Sequence, residues 1–305
     1  MNAYEIKKVL VPVDFSPVSG NALAAAIEIC KRQSASITLL HVVENSMVLF
    51  GPKAGISAAS VLPALMETAE ENLRNKCTEI ESDHRIPSGF TVVAGSPASE
   101  IVHFATEEEM DLVVMGTHGA TGIREYLIGS NAYRVVKNAS CPVVTIPGTT
   151  PWKEFRKILF PVRLIPHALD KYEVVKPIIN SNGSTVHVSG ILQTDEKRDL
   201  SEINDLVSQI RTKMGLDNID CGTDVHVCEN AARKVHELAD SEFPDLIVIT
   251  ATIDTSLKEF FLAPYTQNIV NHSRFPVMSI RPYETADDNK DLQSVFAMDL
   301  NPRSL

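Results

Sequence analysis

The chain has 305 residues, of which 44% are hydrophobic and 22% charged, and a net charge of −11. That length is more than one core usually organises and suits two domains of about 150 residues each. The acidic balance excludes the basic face of a nucleic-acid binder, no apolar run approaches a membrane span, and the composition is that of an ordinary soluble globular protein.

The amino terminus, Met1 to Lys8, is polar and charged and leads directly into a strand pattern, so it reads as no signal peptide. The five cysteines, Cys30, Cys77, Cys141, Cys221 and Cys228, are odd in number, and no two have C-x-x-C spacing. They read as reduced, buried or half-buried thiols, and a cytoplasmic location is expected. The nine histidines form no HExxH and no zinc spacing with the cysteines, so no metal site is expected. His187 and His226, each alone on a strand, read as structural.

Strand and helix patterns alternate from the start. Lys7–Val13 is a short β-rich run, and Asn21–Arg32 places Leu23, Ile27 and Cys30 on one helical face. Ser36–Val43 is a second strand, Ser60–Glu81 a long amphipathic helix and Phe90–Val93 a third strand. A helix over Ala98–Glu108 leads to a fourth strand, Asp111–Met115. A helix over Gly129–Asn138 leads to a fifth, Pro142–Ile146. Continuous apolar strands suit a parallel sheet covered on both faces, and the alternation predicts a doubly wound α/β fold with five parallel strands flanked by helices.

The second half repeats this order. Lys157–Val162 matches Lys8–Val13 at an offset of 149, and an offset of 134 then holds for almost 50 residues. At that register Ile101 falls on Val235, Asp111-Leu112 on Asp245-Leu246, and Cys141-Pro142-Val143 on Phe275-Pro276-Val277. Duplication of one domain is the expected origin. The expected division is a first domain over 1–148, a short linker around Pro147–Trp152, a second domain over 153–282 and a polar tail over 283–305.

The chemistry concentrates after the fourth strand, where Gly116-Thr117-His118-Gly119 is followed by nine residues and then Gly129-Ser130. Open α/β sheets bind ligands at the carboxyl ends of their strands. Gly116 and Gly119 allow backbone to approach a ligand closely. Gly129-Ser130 opens a helix, whose free N–H groups and positive dipole end suit a phosphate. The pattern is neither a Walker A sequence nor GxGxxG after the first strand. Asp14, at the carboxyl end of the first strand, suits the nucleoside end of a ligand, because a carboxylate accepts hydrogen bonds from hydroxyls or an amine. The backbone of His41-Val42-Val43, ending the second strand, could meet a base edge. Gly148, Gly183 and Gly190 are read as structural.

With VPVDFS, LLHVV, MGTHG, the nine-residue spacing to GS and CPVVTIP in place, the first half resembles the universal stress protein family, and the second half does so more weakly. The resemblance implies a five-stranded parallel sheet with helices on both faces. In the nucleotide-binding branch of that family it implies that Pro12, Val13, Asp14 and Val42 hold adenosine. Gly116, His118, Gly119, Gly129, Ser130 and Asn131 would then hold ribose and phosphates. The expected ligand is ATP, with AMP or ADP as alternatives and magnesium as an optional companion.

The second half departs at five of these positions: Thr250 replaces Gly116, Ile253 replaces Gly119, Ala263 replaces Gly129, Pro264 replaces Ser130 and Arg163 replaces Asp14. Pro264 fits a first helical turn but removes an N–H. The second domain is therefore expected to be a structural partner or to bind something different.

The leading expectation is an ATP-binding regulatory module in stress adaptation. The alternatives are a nucleotide-free scaffold and a weak ATP hydrolase; no catalytic dyad is visible, so slow hydrolysis would rest on positioning alone. An adenylyl-transferring enzyme would carry its own loop after the first strand, and Asp14-Phe15-Ser16-Pro17 is not one. The apolar fifth strands, if left at sheet edges, invite pairing with each other across a pseudo-two-fold axis. A homodimer of the whole chain is a further option.

Overall fold

The computed structural model describes residues 3–44, 58–117, 129–148, 154–194, 200–254 and 261–281. The first half contains β1 (Lys8–Pro12), α1 (Pro17–Gln33), β2 (Ser36–Glu44), α2 (Ala58–His84), β3 (Ser88–Gly95), α3 (Pro97–Glu107), β4 (Leu112–Gly116), α4 (Ser130–Asn138) and β5 (Val143–Ile146). The second half contains β6 (Lys157–Val162), α5 (Asp170–Asn182), β7 (Thr185–Gln193), α6 (Leu200–Leu216), β8 (Cys221–Cys228), α7 (Ala231–Glu242) and β9 (Leu246–Thr250). It ends with a two-stranded ribbon, β10 (Ile253–Asp254) and β11 (Phe261–Leu262), then α8 (Pro264–His272) and β12 (Val277–Ile280).

The fold is α/β, with a mostly parallel sheet flanked by helices. The main sheet runs β3-β2-β1-β4-β5-β12-β9-β6-β7-β8. Within each half every neighbouring pair in it is parallel; at the centre β5 and β12 are antiparallel, with Val277 opposite Thr145, Met278 opposite Val144 and Ser279 opposite Val143. Strands β1, β4, β5, β6, β9 and β12 are almost wholly buried, as helices on both faces require of their apolar runs. The outermost strands β3 and β8 are half-buried instead.

Equivalent backbone bonds recur in the two halves. Asp111 Oδ2 accepts from the amides of Lys7 and Lys8, and Asp245 Oδ2 accepts from those of Arg156 and Lys157. The Thr117 amide donates to Ile146 O, and the Ala251 amide donates to Ile280 O. Each acidic residue pins the start of a first strand beside the start of a fourth, which aligns the carboxyl ends at the opposite rim.

Buried residues form one cluster on each side of the sheet, and each cluster draws on both halves. One joins Val9, Val11 and Leu112 to Phe160, Val248 and Tyr172; the other joins Leu10, Val113 and Val135 to Ile247, Leu262 and Ile269. All five cysteines are free, Cys30 and Cys77 buried and the others half-buried. Burial pushes the Cys30 thiol up to about 12. Among the described residues, no helix is long and apolar enough to cross a membrane.

Candidate functional site

In the first half the strand order reverses between β1 and β4, since β2 and β3 lie on one side and β5 on the other. Diverging connections at such a switch point open a crevice at the carboxyl ends of the strands. β1 pairs in parallel with both β2 and β4, so Pro12, Val13, Asp14, Val42 and Gly116 share one rim of the sheet.

The β1 side of the rim is tightly built. The Val13 amide donates to Leu40 O at 2.8 Å, and His41 Nδ1 donates to Val13 O at 2.7 Å. Asp14 is exposed, and its Oδ1 accepts from the Ser16 amide at 3.0 Å. Ser16 is the N-cap of α1, its Oγ accepting from the Ser19 amide at 3.1 Å, and Pro17 follows at the first helical position. Both are standard devices for starting a helix, and here they bring α1's amino terminus to the rim two residues after Asp14. Phe15, between them, is held at φ 62°, a left-handed conformation that a bulky residue rarely adopts. Its ring is 48% exposed and rests 4.8 Å from that of His41.

The β4 side supplies the close approach. A Cβ on Gly116 would lie 2.7 Å from Val18 Cγ1 and 3.3 Å from the Val18 backbone, so only glycine lets β4 end this close to α1. Thr117 is buried, and its carbonyl accepts from the Gly129 amide at 2.6 Å, which draws the start of α4 onto the end of β4. Gly129 is the N-cap of α4 with extended backbone (φ −64°, ψ 152°) and no capping side chain. Ser130 is exposed and Asn131 half-buried in the first turn, which carries no acidic residue. The first-turn amides and positive dipole end of α4 thus lie at this rim, where they suit an anion, while the Asp14 carboxylate suits hydroxyl or amine donors.

The structure thus brings together Pro12, Val13, Asp14, Val42, Gly116, Gly129, Ser130 and Asn131 at one end of the sheet. His118 and Gly119 lie outside the described residues. Sequence reasoning gave His41 a backbone role only and Thr117 no role of its own, and it missed Phe15 and Val18. A glycine ending a buried strand, facing the helix after β1, was the one signal that pointed to Val18.

The second half fills the corresponding crevice with its own residues. Arg163 follows β6, with its guanidinium carbon 4.6 Å from the centre of the Tyr265 ring. Pro264 takes the first position of α8, with Ala263 as N-cap. The segment corresponding to the glycine loop holds the β10–β11 ribbon, closed by the Ala263 amide on Thr252 O at 2.9 Å. Lys171 on α5 is buried beneath this rim, its ammonium donating to Pro161 O and, at 3.2 Å, to Val248 O.

Two histidines at the far edge are also held by acidic partners. His226 Nε2 lies 2.9 Å and His187 Nε2 3.2 Å from Asp224 Oδ2, and His187 Nδ1 lies 2.6 Å from Glu242 Oε1. Among the described residues, no group of three or more His, Cys, Asp or Glu side chains is placed to hold a metal ion.

The family model described as the universal stress protein family matches residues 5–147. Universal stress protein MJ0531 of Methanocaldococcus jannaschii is 38% identical over 140 residues, covering 46% of this chain and 81% of that protein. Universal stress protein YxiE of Bacillus subtilis is 29% identical over 144 residues, covering 46% of this chain and 97% of that protein. The crystal structure of a universal stress protein from Archaeoglobus fulgidus shares the fold along nearly the whole length. It aligns with a TM-score of 0.73 at 19% identity, covering 90% of this chain and 98% of its own. The chain belongs to the universal stress protein family.

Proposed function

We propose that the first half binds an adenine nucleotide, ATP foremost, at the carboxyl ends of β1 and β4, and that the chain acts as a nucleotide-responsive regulatory module in stress adaptation. The observation that carries this reading is the bond from the Gly129 amide to Thr117 O. It sets the amino terminus of α4 beside Gly116, at the switch point whose rim also carries Asp14. Asp14 and the backbone around Val42 would take the nucleoside, and Gly116, Gly129, Ser130 and Asn131 the phosphates, with His118 and Gly119 completing the loop. Magnesium would arrive with the phosphates, which usually supply much of its coordination.

The same reading divides the chain into a binding domain over 1–148, a non-binding domain over 153–282 and a tail over 283–305, with the two domains descended from one. Pro264, Ala263 and Arg163 stand where the first half has Ser130, Gly129 and Asp14, and the β10–β11 ribbon lies in the segment that corresponds to the first half's glycine loop. Free, buried or half-buried thiols suit a cytoplasmic location.

Mass spectrometry of the purified protein and calorimetry with ATP test the proposal. The expected results are a co-purifying or titratable adenine nucleotide, and loss of ATP binding in the folded double variant Gly129→Val/Ser130→Ala. Unchanged ATP affinity in that variant would remove the phosphate site from α4. Asp14→Ala is expected to weaken ATP and adenosine alike; an unaltered adenosine affinity would take Asp14 out of the nucleoside end.

A further inference from the structure

Helix α4 has nine residues and no side-chain N-cap. Helices this short do not hold their shape alone, so neighbours must fix both its conformation and its direction. One anchor is internal to the first half, the bond from the Gly129 amide to Thr117 O. Others come from the second half. Midway along α4, Tyr133 Oη accepts from the Leu262 amide at 3.2 Å, and Leu262 is the last residue of β11. At the carboxyl end, Arg281 Nη1 donates to Lys137 O at 3.3 Å. Helix α4 also lies against α8, and its buried Val135 shares a core cluster with Leu262 and Ile269.

The Leu262 amide belongs to a residue that is 1% exposed, so without Tyr133 Oη it would be a buried donor in need of another partner. Arg281 places a cation at the carboxyl end of α4, where it complements the helix dipole. The ribbon that takes the place of the second half's own loop therefore serves the first half's helix.

We propose that the second half is the positioning scaffold for α4, with Tyr133 and Arg281 as the positioning residues that aim the helix's amino terminus into the first half's crevice. This rests on the nucleotide reading for what the helix faces, but not for the scaffold itself. Binding and interface are then linked: a ligand gripping the amino terminus of α4 tightens the contacts with Leu262 and Arg281, and loosening those contacts weakens the grip on phosphate.

The test uses the full chain as Tyr133→Phe and as Tyr133→Phe/Arg281→Ala. Amide exchange of the ligand-free protein is expected to speed up over 130–138 by about fivefold or more in the double variant, with β6 to β8 unchanged. In calorimetry the double variant is expected to lose about fivefold in ATP affinity and to keep its adenosine affinity, since only the phosphate end is aimed by α4. Unaltered exchange over α4 in the double variant would overturn the scaffold. An equal loss for ATP and adenosine would overturn its aiming role, because a general loosening of the fold moves both. If the unmodified protein binds no nucleotide, the proposed function fails by itself, and the exchange comparison still decides whether the second half holds the helix.

Discussion

Lys171 sits on α5, 2% exposed, where the first half carries the equally buried Ala22 at the offset of 149 residues. Its ammonium lies 4.3 Å from the centre of the Phe160 ring and donates to two strand carbonyls. Burial pulls its pKa down to about 7 from 10.5. The sign follows from linkage. Below pH 7 folded and unfolded chains both hold the proton, and the burial penalty is at its full size. Between about 7 and 10.5 the unfolded chain binds more protons, so stability rises with pH across that window. Lys171→Met keeps the length and removes the charge; it is expected to stabilise the protein by about 1–4 kcal/mol at pH 6 and to flatten the rise toward pH 10. Urea titrations at the two pH values measure both effects, and a variant with unchanged pH slope would show that Lys171 is not their source. Asp224 gives a slope of the same sign in the acid range, because its charged form is favoured in the fold rather than penalised. Burial raises its pKa, but the Ser189 hydroxyl and the His187 and His226 side chains outweigh that and hold it below the ordinary carboxylate value. The stability it contributes is complete above the unfolded value and is lost as pH falls through the lowered one. Asp224→Asn is expected to reduce acid sensitivity in that range, read from the midpoint of acid unfolding. Gly116→Ala forces a Cβ to 2.7 Å from Val18 Cγ1 and against unyielding backbone. It is expected to cost about 1–3 kcal/mol, with the loss visible as a lower thermal midpoint.

At the scale of elements, what the sequence made legible depends on burial. Strands β1, β4, β5, β6, β9 and β12 are almost wholly buried on both faces, so their composition is dictated at nearly every residue and their runs stand out. The half-buried β3 leaves its ends free in composition: the pattern marked Phe90–Val93, whereas the strand runs Ser88–Gly95. Glycines and the helix start at Ser130 were legible because their chemistry is local. The roles of His41, Val18, Tyr133 and Arg281 were not, because each depends on a partner from a separate element, and for Tyr133 and Arg281 that partner lies more than 100 residues away. The β10–β11 ribbon was also invisible: two-residue strands carry no periodicity, and that stretch was read only as a loop that had lost its glycines. Helix α1 allows a quantitative check of a local signal. Ser16 is 7% exposed and its Oγ accepts from the Ser19 amide at 3.1 Å. Ser16→Ala is expected to destabilise the protein by about 1 kcal/mol, and Ser16→Asp to recover most of that, as a capping role requires and a mere packing role does not. Thermal melts of the pair decide between them.

At the scale of the whole molecule, one sheet and two shared clusters join the halves. The β5–β12 ladder, the Thr145 Oγ1 bond to Val277 O at 3.3 Å and the Gln33 bonds to Pro177 O and Ser181 Oγ all cross between them. Two domains meeting through a small polar face would unfold separately, each at its own free energy. Here separation would strip β5 and β12 of a ladder each and leave a buried apolar strand at a new edge. It would also divide clusters in which Val113 and Ile247, or Val9 and Val248, belong to one body. The penalty for opening one half alone is therefore comparable with that for opening both. The expectation is a single cooperative unit, and Ile247→Ala tests it. Ile247 is fully buried on β9, opposite Val277 of β12, and truncating it is expected to cost about 2–5 kcal/mol. Native-state hydrogen exchange should then show β4, Leu112–Gly116, in the first half losing as much protection as β9 in the second, since both exchange through the same global opening. If β4 kept its original protection while β9 lost it, the halves would be independent folding units that merely touch, and the second half could not serve as a rigid support for α4.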